Sequence, residues 1–167
     1  MLVRSLIAWA GRRGGQPRLS ILILHRVLPA PDPLFPHEIH RAQFEQLARW
    51  LVAWFNVLPL SDAIDRLAAG TLPARSAAIN FDDGYADNLQ QAGPVLQKHG
   101  LPATIFVTTG YLDGGRMWND SSIEALRRTD KADLDLSGQG LGRHVLHTGL
   151  QRRAAIDALI TAVKHLG

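Results

Sequence analysis

The densest chemical signal in the chain is Asn80-Phe81-Asp82-Asp83-Gly84-Tyr85-Ala86-Asp87-Asn88. Adjacent carboxylates repel when both are ionised, and a divalent cation is the ordinary relief. Gly84 allows the backbone to turn so that Asp82 and Asp83 reach one place. Asp-Asp-Gly also reads as a plain turn with helix-capping duty, and composition alone leaves the two readings level. The chain has no cysteine, which excludes thiolate zinc clusters, disulfide frameworks and cysteine nucleophiles. A metal here must use His, Asp or Glu.

Other side chains could join this chemistry. His25 falls at the end of an apolar run and reads either as a group lining the same site or as a core-edge histidine. Tyr85 and Trp118 could stack on a sugar ring or pack in a core. His37 and His40 precede a long helix, where substrate and solvent contact look alike. His99 and His165 fall at helix C-termini, where an imidazole complements the helix dipole. His144 and His147 read as loop histidines.

The elements that must position these residues alternate between short apolar runs and helical patterns, the signature of βα units and a mainly parallel sheet. Strands are expected over 19–25, 56–60, 77–81 and 104–108, the first covered on both faces because its Ile/Leu run is unbroken. Helices are expected over 41–55, with Phe44, Leu47, Leu51 and Trp54 inward, and from a Ser61 cap to Gly70. A short helical piece from Tyr85 should give way to a new helix starting at Pro94 and ending at Gly100. Further helices are expected over 120–128 and 151–166, the latter burying Ile156, Leu159, Ile160 and Val163, with a loop or loose hairpin over 129–149. The carboxyl ends of parallel strands, where Asp82 falls, are where catalytic groups collect.

Phe81-Asp82-Asp83-Gly84-Tyr85 resembles the first signature motif of the polysaccharide deacetylases, the NodB-homology group of carbohydrate esterases. Supporting matches are Leu24-His25-Arg26-Val27, Asp87-Asn88, Pro94-Val95-Leu96 and Gly100-Leu101-Pro102-Ala103-Thr104-Ile105-Phe106-Val107, together spanning about residues 20–120. The resemblance implies an α/β fold, the first half of a distorted (β/α) barrel, and hydrolysis of N-acetyl groups on a polysaccharide or glycan with a divalent metal, zinc before others. It assigns Asp82 as general base and Asp83 as metal ligand, and a histidine often ends the first strand in this family, as His25 does here; His25, Tyr85 and Trp118 are the candidate substrate contacts. The family's His-(Ser/Thr)-x-x-His metal motif is not in the sequence. His144 and His147 are three apart and lack the hydroxyl residue. Nor are the later arginine, aspartate-tryptophan and leucine-x-histidine motifs, so residues 19–167 read as a partial domain truncated before the histidine motif, behind a basic segment over 1–18. Such a chain is expected to be nearly inactive alone and to bind zinc weakly, since a catalytic zinc has three protein ligands.

The 167 residues, 46% hydrophobic and 20% charged, suit one globular core. The net charge of +3 is local: five arginines precede the first acid, Asp32, which leaves the rest of the chain at −2. Without a recognition motif or interleaved aromatics, that basic segment does not read as a nucleic-acid binder. The uncharged run Ser5–Ala10 is too short for a signal peptide, no stretch reaches a membrane span, and a cytoplasmic protein is expected. A weak membrane-surface contact through an amphipathic helix over 1–10 is the remaining membrane option. A haloacid-dehalogenase-type phosphatase needs Asp-x-Asp-Gly and finds Phe81 where its nucleophile belongs; phosphate-binding glycine loops are absent. The alternative to an enzyme is a non-catalytic carbohydrate-binding or interaction module.

Overall fold

The computed structural model describes residues 12–13 and 16–164; the helix expected over 1–10, and His165 and Leu166 of the last helix, lie outside them. The chain forms two compact units, one of residues up to Pro31 with His37–Thr108, the other of Asp32–Pro36 with residues from Thr109 on. Each has its own hydrophobic cluster, in place of the single core that the length suggested.

In the first unit, β1 (Arg12–Arg13) and β2 (Gln16–Pro17) form a two-residue antiparallel pair. The main sheet follows: β3 (Leu19–Leu24), α1 (Arg41–Trp54), β4 (Asn56–Val57), α2 (Leu60–Ala68), β5 (Ser76–Phe81), a π-helical turn Asn88–Ala92, α3 (Gly93–His99) and β6 (Thr104–Ile105). β5 is central and buried at all six positions. β3 runs parallel along its whole length, from Leu19 opposite Ser76 to Leu24 opposite Phe81. On the other side β4 pairs with the start of β5 and β6 with its end, both parallel. All three pairings among these four strands thus have the expected direction. Phe44, Ala48 and Leu51, at helical spacing on α1, pack on Ile79 and Phe81, with the Phe44 and Phe81 rings edge-on at 5.9 Å. Such a ring pair adds about 1 kcal/mol beyond area burial.

Four expectations change here. β3 is not covered on both faces: Ile21 and Ile23 are 47% and 60% exposed, while Leu22 and Leu24 meet the core. The strand expected over 56–60 stops at Val57, because after the Leu58 N–H bonds Ala77 O, Pro59 has no N–H to give. Pro59, not Ser61, then caps α2. The strand expected over 104–108 keeps two ladder residues, since its partner β5 ends at Phe81 and turns away.

The second unit holds α4 (Trp118–Arg128), an antiparallel hairpin of β7 (Asp133–Leu136) and β8 (Gly142–Val145), and α5 (Gly149–Lys164) around Leu126, Leu146, Ile156 and Leu159. Val163, expected inward, is 38% exposed. The Asp32–Pro36 loop is fastened to this unit: Arg127 donates to both Asp32 oxygens, at 3.0 and 2.6 Å, and Arg153 Nη1 donates to Leu34 O at 3.2 Å. The Arg127 guanidinium holds the Asp32 carboxyl below its ordinary range, helped by the Leu34 and Phe35 N–H groups and opposed by desolvation. No described helix is long and apolar enough to cross a membrane.

Candidate active site

The site forms where β3 and β5 end together. The Asp82 N–H donates to Leu24 O at 2.8 Å, so the strand-to-loop exits stay side by side: Asp82 leaves β5 where His25 leaves β3. Leu24 and Phe81 both belong to the core, so the residues after them are the first free to leave it. His25 is exposed and Asp82 half-buried.

Two consecutive left-handed residues then fold the chain back, Asp83 at φ 70° and Gly84 at φ 68°. Aspartate tolerates this region better than most residues, at a cost of about 1 kcal/mol. Gly84 is required twice over, because a Cβ there would stand 3.0 Å from Val107 Cγ1 and 3.1 Å from its Cα. The glycine therefore lets the acidic turn close onto the segment following β6. The turn presents two carboxylates, Asp82 and Asp83, that no other described side chain engages by hydrogen bond or ion pair. Carboxylates of that kind can accept a proton from water or bind a cation.

The third carboxylate of the motif behaves differently. Asp87 is buried; its Oδ2 accepts from Arg26 Nε at 2.9 Å and its Oδ1 from the Val27 N–H at 3.2 Å. The neighbouring Asn88 amide donates to His25 O at 2.9 Å and to Asp87 Oδ1 at 3.3 Å. The Arg26 guanidinium carbon stands 4.6 Å over the Tyr85 ring. Sequence reading singled out Tyr85 but missed Arg26 and Asp87 as members of the site; a carboxylate within the motif, with an arginine right after the His25 strand end, was the available signal.

His25, Asp82, Asp83 and Tyr85 thus gather in the first unit, at the carboxyl end of its sheet. Trp118 opens α4 in the second unit, 44% exposed. Of the other histidines, His99 Nε2 lies 2.8 Å from Glu45 Oε1, His144 Nε2 lies 2.8 Å from Leu141 O within its own hairpin, and the His40 N–H donates to Gln43 at the start of α1. Among the described residues no group of three or more His, Cys, Asp or Glu is placed to hold a metal ion. Two carboxylates fall short of a three-ligand catalytic centre, so the donor set does not fit a complete divalent-metal site.

Residues 69–141 match the family model of polysaccharide deacetylases. YxkH of Bacillus subtilis (strain 168), whose name places it in the same family, is 35% identical over 92 residues, 54% of this chain and 32% of that protein. The poly-beta-1,6-N-acetyl-D-glucosamine N-deacetylase of Staphylococcus aureus (strain MSSA476) is 34% identical over 77 residues, 46% of this chain and 27% of that enzyme. The chain therefore spans about a third or less of the length of these relatives. Among solved structures, the Streptococcus pyogenes deacetylase PplD in complex with acetate superposes with a TM-score of 0.54 at 20% identity, covering 67% of this chain and 53% of that one, a likeness of fold. With a mixed α/β fold, a parallel sheet and the acidic turn at its carboxyl end, this chain is similar over about half its length to part of a polysaccharide deacetylase domain.

Proposed function

We propose that the chain supplies the general base and one metal carboxylate of a metal-dependent N-deacetylase acting on an N-acetylated polysaccharide, within a domain that begins near residue 19. The observation that carries this is the open carboxylate pair of Asp82 and Asp83 on a left-handed turn at the carboxyl end of the central strand. Asp82 takes the proton of the attacking water; Asp83 is the carboxylate available to a divalent ion, zinc before others. Such an ion, when bound, polarises an amide carbonyl. His25 and Tyr85 border the turn and contact the sugar. Within the described residues the ligand set is short, and turnover by the chain alone is correspondingly slow.

Zinc titration by calorimetry separates the two aspartates. Asp83→Ala should weaken binding while Asp82→Asn leaves it nearly unchanged; equal effects of the two, or none, would contradict the division of roles. The ligand shortfall also favours a second reading, a non-catalytic carbohydrate-binding module. That reading requires an N-acetylated oligosaccharide to bind without any acetate release dependent on Asp82.

A further inference from the structure

The Asp87-Asn88 pair grips three consecutive residues of the segment after β3. Asn88 Nδ2 holds the carbonyl of His25 at 2.9 Å, Asp87 Oδ2 holds Arg26 Nε at 2.9 Å, and Asp87 Oδ1 holds the Val27 N–H at 3.2 Å. The partners are 60 to 63 residues apart in sequence, so local chain stiffness does not explain the grip. The Asp87 side chain is only 10% exposed. Burying a carboxylate is costly, and even a paired buried charge contributes little net stability compared with an apolar residue of similar size. What three donors on one carboxylate do provide is a fixed geometry. Because Arg26 also lies over the Tyr85 ring, and the Asn88 N–H donates to Tyr85 O at 2.9 Å, the network ties the β3 exit to the motif itself.

We propose that Asp87 is a positioning residue of this site: with the Asn88 amide it fixes the His25–Val27 segment, so that His25 is held where it leaves β3 alongside the Asp82 exit from β5 and the Tyr85 ring stays against Arg26. Its consequence for turnover rests on the deacetylase reading, whereas the grip itself can be tested without turnover.

The test is NMR on the whole chain, with Asp87→Ala and Asp87→Asn compared with wild type at a temperature where each is folded. In Asp87→Ala the Val27 amide should exchange about tenfold faster, the loss of roughly one charge-assisted hydrogen bond. The His25 and Tyr85 ring resonances should shift, while the Ile79 and Leu51 amides keep their protection. Asp87→Asn keeps an acceptor for the Val27 N–H but not the charge for Arg26; it should retain most of the Val27 protection while still moving the Tyr85 ring signal. Should Asp87→Ala fail to fold, Asp87→Asn decides by that split. If the His25 and Tyr85 rings of the folded variants resonate as in wild type, Asp87 acts on stability alone and the proposal is overturned. A chain with the ring shifts but no acetate release under any metal would instead overturn the deacetylase reading and leave the grip standing.

Discussion

Gly70 and Gly84 share the same backbone angle, φ 68°, but not the same surroundings. A Cβ on Gly70 meets nothing within 4 Å, whereas one on Gly84 meets Val107 Cγ1, Cα and Cβ at 3.0, 3.1 and 3.2 Å. Alanine at either position carries the left-handed penalty of about 1–2 kcal/mol. At Gly84 it must also push back the Val107 backbone, and overpacking of that kind costs roughly 1–3 kcal/mol more. Gly70→Ala should therefore lower stability by about 1–2 kcal/mol and Gly84→Ala by about 2–5 kcal/mol, a substantial part of the roughly 5–15 kcal/mol of an ordinary domain. For a chain of this size each kcal/mol shifts the melting temperature by about 2–4 °C. Both glycines lie in the first unit, so urea unfolding followed at that unit, by exchange of the Ile79 amide, compares them on one scale. Equal losses for the two variants would refute the close approach of the acidic turn to Val107, and with it the stated reason for glycine in the motif.

Three further outcomes follow from particular contacts. Lys98, then His99, hold the Glu45 carboxyl down to about 2 from an ordinary 4.5. Its folded-state value lies below the unfolded one, so the contribution is full above about 4.5 and fades as pH falls toward 2; Glu45→Gln should flatten the acid limb of a denaturation profile across that window. Arg127→Ala removes both bonds to Asp32 and should cost about 1–3 kcal/mol, with exchange rising at the Leu34 and Phe35 amides; an unchanged Leu34 amide would contradict the anchoring of that loop. Phe81→Ala, which empties a fully buried ring position against Phe44, should cost about 3–5 kcal/mol by thermal denaturation, and a loss under 1 kcal/mol would contradict the packing.

The parallel order was legible because the Ile21–Leu24 run and the Ala77–Phe81 run alternate with amphipathic stretches, and because Asp82-Asp83-Gly84 falls where β5 ends. The exposed face of β3 was not legible: an unbroken apolar run carries no alternation from which to tell one covered face from two. β4 was cut short by Pro59, a residue inside the expected strand that has no N–H to give, whereas β6 was cut short because β5 turns away after Phe81, which is not a property of β6's own residues. Two cores instead of one followed from Asp32–Pro36 joining the later helices through Arg127 and Arg153, contacts 95 and 119 residues apart. The same distance in sequence concealed Asp87, whose partners precede it by about 60 residues.

The most direct test of the central claim is acetate release from an N-acetylated β-1,6-glucosamine oligomer with zinc present, measured for wild type and Asp82→Asn. A slow release by wild type that falls to background in Asp82→Asn, with zinc affinity retained, is the predicted result. Release that survives unchanged in Asp82→Asn, or that is absent from wild type while the oligomer binds, would contradict Asp82 as the base of a deacetylase.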